Sequence, residues 1–185
     1  MPPALRWPPL AALESAAVAA SWDGLPGRSP LQGLALVSDS SAAEVVWVPG
    51  DLLGQPLEEL RAVLCAGPTV AAHDAKPILR SLLDLGADIT RLTLDTKLAA
   101  YLLDPAETIY GLPELLRRHA EMELATDGGA PEGQLDFEGT SVAVSQLVGR
   151  EALAVAYVDE PLCASLDAHG LTTLNATVEV PLVRV

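Results

Sequence analysis

At 185 residues the chain has room for one domain with a sizeable core, or for one domain carrying an arm. Half of the residues are apolar but only 4% are aromatic, so the interior must be built from Ala, Val and Leu, which suits helices laid over a sheet. A formal charge of −14, with Lys76 and Lys97 as the only lysines, excludes a basic stripe for a phosphate backbone to follow; an acidic domain of this kind reaches DNA only through a basic neighbour.

Residues 1–10 hold Pro2, Pro3, Pro8 and Pro9, too many for a helix interior, so residues 1–15 read as an arm or linker and 16–185 as the domain. Three strands are expected next, Ala16 to Trp22, Gln32 to Ser38 and Glu44 to Pro49, with turn residues between them and hence an antiparallel meander. The period then changes: Leu57, Leu60 and Leu64 fit a helix, Thr69 to Ala72 a short buried strand, and Leu79, Leu82 and Leu83 a second helix. Leu92 to Leu94 predicts another strand, after which Asp95-Thr96 can cap a helix that Asp104-Pro105 closes. A helix is expected over Leu112 to His119, a Gly-rich loop over Thr126 to Gly139 with Asp127, Glu132, Asp136 and Glu138 keeping it solvated, a long helix over Ser145 to Leu166, and a last one from Thr172. This order describes an α/β domain with a mixed sheet of about five strands and flanking helices, and a ribonuclease H-like fold fits it.

Cys65 and Cys163 lack a CxxC pattern or a secretory leader, and read as buried free thiols of a cytoplasmic protein. No apolar run approaches the roughly 18 residues of a membrane span. No Walker-type or Rossmann-type glycine pattern appears, since Gly24-x-x-Gly27 lacks a following lysine and a strand-to-helix context.

The most specific stretches are Val70-Ala-Ala-His73-Asp74-Ala-Lys76-Pro-Ile78-Leu79 and, after it, Leu94-Asp95-Thr96-Lys-Leu-Ala-Ala-Tyr101-Leu-Leu-Asp104-Pro105. With the ending Glu179-Val-Pro181-Leu182, they resemble three ordered segments of the 3′ to 5′ exonuclease-like (DnaQ-like) domain of bacterial DNA polymerase I, a family A polymerase. The resemblance covers roughly residues 16 to 185. It implies a parent chain acting in DNA replication or repair, whose polymerase domain follows the ending and is this domain's partner, with DNA met only through that parent. The isolated fragment is expected to be a monomer with no membrane contact.

Active members of the family hydrolyse phosphodiesters with two Mg²⁺ ions held by carboxylates, because hard divalent cations need anionic oxygen. The resemblance places those ligands in a first-strand Asp-x-Glu, a second-motif Asp, and a late helix bearing Tyr-x-x-x-Asp. Here the first strand offers Ala19, Ala20 and Ser21; Ile78 stands at the second-motif Asp; Leu153 and Tyr157 fall at the Tyr and Asp of the third. The expectation is a vestigial, catalytically inactive domain, with no cofactor, that serves as a scaffold. A rival reading is an active exonuclease in which Asp23, Asp74, Asp95 and Asp159 hold Mg²⁺ or Mn²⁺; another is a free-standing interaction module. If the vestigial reading holds, Ala20, Ile78 and Tyr157 should bound a pocket filled by side chains.

Other polar residues read more simply. His73 is expected as a hydrogen-bonded structural histidine, His119 and His169 as caps of helix C-termini, Asp95 as a helix N-cap, and Asp74, Asp104, Asp159 and Glu160 as solvated or capping charges.

Overall fold

The computed structural model describes residues 14–41, 43–53, 64, 65, 67–123 and 137–185. Five strands form one mixed sheet: β1 (Ser15–Trp22), β2 (Leu31–Asp39), β3 (Glu44–Pro49), β4 (Thr69–Ala72) and β5 (Leu92–Asp95), in the spatial order β3-β2-β1-β4-β5. The expected meander is present, with β1–β2 and β2–β3 antiparallel; β4 and β5 then extend the sheet parallel to β1. A short helix α1 (Gly50–Leu53) follows β3, α2 (Ala75–Asp84) crosses from β4 to β5, and α3 (Thr96–Leu103) leaves β5. Next come α4 (Leu112–Leu115), continued by a π-helical turn at Leu116–Ala120, and the long α5 (Phe137–Ala168). Thr172–Leu174, a π-helical turn at Asn175–Glu179 and Val180–Leu182 run on as one C-terminal helix, α6.

Strand alternation sorts the core into two layers. Ala17, Ala19, Ala35, Val37, Ala71 and Leu94 face one side and pack with Ala152, Val155, Val158 and Leu162 of α5 and with α3 and α4. The many alanines on this side explain how a helix lies so close to the sheet. Val18, Leu34, Leu36, Val70, Ala72 and Leu92 face the other side, where Ile78, Leu79 and Leu82 of α2 and Ile89 cover them. Because helices cover both faces of the sheet, the centre of β2 (Leu34 to Val37) and most of β4 (Val70 to Ala72) read as continuous apolar runs.

Several expectations need correction. Phe137–Gly139 belongs to the start of α5 and not to a loop, and the remainder of the Gly-rich stretch lies outside the described residues, as do Leu57 and Leu60 of the expected helix before β4. Cys65 and Cys163 are free but exposed, not buried. Among the described residues no helix is long and apolar enough to cross a membrane.

Candidate functional site: a cleft where two parallel strands end

β4 and β5 run parallel and release their chains into α2 and α3 at the same edge, the place where α/β sheets usually carry ligands. Asp95, only 3% exposed, joins the two exits. Its Oδ1 accepts from the backbone N–H groups of Lys97 at 3.0 Å and Leu98 at 3.3 Å, capping α3 as expected. The same carboxylate also receives the N–H groups of Asp74 at 3.1 Å and Ala75 at 2.7 Å, so it caps α2 as well. Asp74 adopts φ 54°, ψ 63°, a left-handed conformation that Asp tolerates better than most residues and that turns both N–H groups onto Asp95. The Asp74 side chain forms an ion pair with Lys97 at 2.7 Å, and the His73 Nδ1 lies 2.8 Å from the Thr96 hydroxyl. Burial holds the His73 ring below its usual histidine range, with Asp95 and Asp74 opposing that shift. The hydrogen bond expected of His73 is therefore present, with the Thr96 hydroxyl as its partner.

Outward from Asp95 opens a cleft of about 390 Å³ lined by Asp74, Lys76, Lys97, Leu98, Tyr101 and Tyr110 on one side and by Glu179, Leu182 and Val183 on the other. Tyr101 and Tyr110 meet edge to face at 5.9 Å, and the Tyr110 hydroxyl donates to the Asp104 and Glu107 carbonyls at 2.9 and 2.8 Å. Both lysines of the chain stand on this rim, a convergence the sequence reading missed. The signal was available: each lysine lies within the first turn of a helix that follows a parallel strand.

The three carboxylate-motif positions do not meet. Ala20 and Ile78 share the apolar layer under α2, with Ile78 2% exposed, whereas Ala19, Leu153 and Tyr157 belong to the layer under α5. β4 ends level with Val18, so Ala19, Ala20 and Ser21 extend past it toward the end of β1. Tyr157 points to the opposite end: its hydroxyl donates to the Ser40 carbonyl at 3.2 Å, beyond the start of β1. The expected pocket bounded by Ala20, Ile78 and Tyr157 is therefore not formed, because strand parity and strand length separate its walls. Ser21 instead donates to the Gln32 side chain at 2.8 Å.

The rival carboxylate set is scattered too. Asp159 is half-buried beside a cavity of about 230 Å³ lined by Ser15, Ala16, Ala17, Val37, Ser40 and Ala156, at the start of β1. Asp23 follows the other end of that strand, roughly 20 Å away at about 3.3 Å per residue. Only Asp74 and Asp95 are adjacent, and Asp95 is already committed to four N–H donors. Among the described residues no group of three or more His, Cys, Asp and Glu side chains could hold a metal. The residues that the resemblance sets at the family's metal positions do not fit a metal pair, since Ala, Ser, Ile and Leu side chains carry no anionic oxygen. Asp159 is less solvated than expected: burial pushes its carboxyl up, against a weaker opposing contact from the Cys163 thiol at 3.7 Å. Burial and Asp159 in turn push that thiol up to about 11. His169 lies 2.8 Å from the Ser165 carbonyl at the end of α5, but burial and Arg118 hold His119 below its usual range, against a role as a capping cation.

No protein-family model matches the chain. Its sequence is 32% identical to DNA polymerase I of Mycobacterium tuberculosis over 119 residues, 62% of this chain and 13% of that protein. Against DNA polymerase I of Mycobacterium leprae the identity is 33% over 121 residues. Over that stretch the chain is similar to DNA polymerase I of mycobacteria. It spans about 13% of the length of these curated DNA polymerase I relatives. A Mycobacterium smegmatis structure described as the POL domain of Pol1 in complex with DNA primer-template and dNTP superposes with a TM-score of 0.69 at 24% identity, over 91% of this chain and 26% of that one. NrnC of Brucella melitensis with bound Mg²⁺ gives 0.73 at 13% identity over 95% and 84%. The catalytic core of RRP6 from Trypanosoma brucei gives 0.68 at 16% identity over 94% and 47%. The chain shares the fold of these structures, a ribonuclease H-like, DnaQ-like mixed sheet with flanking helices.

Proposed function

We propose that this chain is a vestigial 3′ to 5′ exonuclease-like domain of a cytoplasmic bacterial DNA polymerase I, spanning residues 16–185, and that its remaining task is to fold stably and support the polymerase domain during replication or repair. The observation that carries this reading is Ile78. The resemblance sets it at the second-motif metal-binding Asp, and it is sealed into an apolar layer with Val18, Leu34 and Leu79. A carboxylate there would lose its hydration without gaining a partner, so an isoleucine stabilises the domain where a buried ligand would strain it. Ala19 and Ser21 in place of the first-strand pair support the same conclusion, as does the commitment of Asp95 to capping two helices. With no polar ligand set to maintain, the domain meets DNA through its parent and not through a nuclease site.

The test is direct. The purified chain is incubated with 3′-recessed and single-stranded DNA in Mn²⁺ or Mg²⁺, and product lengths are compared with an EDTA control. No shortening above that control is expected. Digestion from the 3′ end that EDTA abolishes and that Asp74→Ala removes would overturn the proposal in favour of a divergent exonuclease.

A further inference from the structure

Residues 104–111, between α3 and α4, run along one rim of the cleft, which Tyr110 lines. Asp104, Pro105, Ala106, Thr108 and Ile109 are exposed. Among the described residues the only backbone-to-backbone bond within this strap joins the Glu107 N–H to the Asp104 carbonyl at 3.3 Å, while the Thr108 N–H turns to the Glu107 carboxylate at 2.8 Å. Backbone so little paired opens at low cost, so the strap relies on side chains for its closed position. Tyr110 is one of them: its ring meets Tyr101 edge to face and is partly buried against the layer under α5. Its hydroxyl ties the strap to itself at the Asp104 and Glu107 carbonyls. Arg118 is the other, and it acts from outside. It reaches the Glu107 carboxylate, takes Glu114 of α4 at 2.8 Å and lies 3.8 Å from Asp104, so one guanidinium fastens the strap at two points to the helix that follows. The π-helical turn that carries Arg118 is itself anchored in the core by the buried Leu116.

We propose that residues 104–111 are a strap latched by Arg118, and that releasing the latch lifts Tyr110 from Tyr101 and widens the cleft that opens from Asp95. Isolated surface ion pairs hold little, but here a planar fork is shared among three carboxylates from two segments, the arrangement in which surface charge fixes geometry. The Glu107 carboxyl is held below the usual glutamate range, first by the Thr108 N–H and then by Arg118, so it stays ionised and available to the guanidinium. The Arg118 and Glu107 side chains remain 36% and 25% exposed, which leaves their pair open to screening by salt, whereas the Tyr110 contacts carry no charge and are not screened. Arg117 serves as the contrast. Among the described residues its ion pair is with Glu114, at 2.6 and 3.2 Å, so removing it takes the same charge from the same helix without unfastening the strap. The latch does not rest on the reading of the domain as a vestigial nuclease, since it concerns no DNA and no metal.

Amide hydrogen exchange of the whole chain, read peptide by peptide in a mass spectrometer, tests the latch. Arg118→Ala should speed exchange across residues 106–110 by about 5-fold or more at low salt, and Arg117→Ala should leave it as it is. Raising NaCl from about 0.05 M to about 1 M should speed the same amides in the unmodified chain and add nothing further in Arg118→Ala. Glu107→Gln, which removes the strap's half of the pair while keeping an acceptor for the Thr108 N–H, should match Arg118→Ala. The ring contact supplies a second reading: the proton Overhauser signal between Tyr101 and Tyr110 should weaken in Arg118→Ala. Unchanged exchange in Arg118→Ala or in Glu107→Gln, an equal rise in Arg117→Ala, or a salt response that survives Arg118→Ala would overturn the latch. Faster exchange with the ring signal intact would overturn the movement of Tyr110. Urea unfolding of each variant checks that the rest of the domain stays folded.

Discussion

Two carboxylates divide the molecule. Asp95, at the exits of β4 and β5, is almost fully buried, yet its two oxygens gather four backbone N–H groups and so replace the hydration that burial removes. Asp159, on α5 beside the start of β1, is half-buried, and among the described residues its side-chain donor is the thiol of Cys163. One region has been built around a negative charge and the other merely tolerates it. The difference teaches that a buried carboxylate is tolerated in full where it also holds backbone together; under the proposed function, the positions that the resemblance assigns to metal ligands, which have no such second task, hold Ala, Ser and Ile.

The comparison can be broken hardest at Ile78. Ile78→Asp places an unpaired carboxylate among Val18, Leu34 and Leu79 and should cost about 3–5 kcal/mol in urea unfolding, without creating metal-dependent digestion. A smaller loss, or digestion that appears with Mn²⁺, would mean that the ligand geometry survives beneath the substitution. Asp95→Ala comes next. It strips the cap from α2 and α3 together and leaves buried N–H groups unpaired, so a loss of about 2–4 kcal/mol is expected. Asp95→Asn, which keeps one acceptor oxygen, should recover part of it. An Asp95→Ala variant as stable as the unmodified chain would refute the double-cap account.

How legible these regions were in the sequence differs for a physical reason. The strands and the cap at Asp95 follow from short-range rules, because alternation, turn residues and an Asp-Thr before a helical pattern are local signals; the mixed sheet followed from their order. The second role of Asp95 was hidden, since it depends on a left-handed Asp74 that lies 21 positions away. The supposed pocket of Ala20, Ile78 and Tyr157 failed because three motif positions were assumed to converge, whereas strand parity puts Ala19 and Ala20 on opposite layers and Tyr157 reaches the far end of β1. The exposure of Cys163 was missed for a similar cause: α5 mixes apolar and polar residues without a strong stripe, so its composition does not say which side faces the sheet. The cleft of Lys76, Lys97 and Tyr101 needed only the rule that parallel strands end at ligand edges, once β4 and β5 were read as parallel.

The smallest effect tests the other half of the comparison. The Asp159 carboxyl is raised above its ordinary value by burial, so the folded chain holds a proton there more tightly than the unfolded chain does. Between the unfolded value of 3.8 and the raised folded value, unfolding releases a proton, and stability from this site therefore falls as pH rises through that window. Above it the ionised group carries its full penalty. Asp159→Asn removes the charge while keeping the shape. It should make the domain more stable at pH 7 by a few tenths of a kcal/mol to about 1 kcal/mol, with the gain shrinking as the pH approaches 3.8. Urea unfolding at pH 4 and pH 7 measures it. A variant that is less stable than the unmodified chain at pH 7 would show that the Asp159 carboxylate is held by favourable contacts, and the contrast with Asp95 would collapse into two versions of the same design.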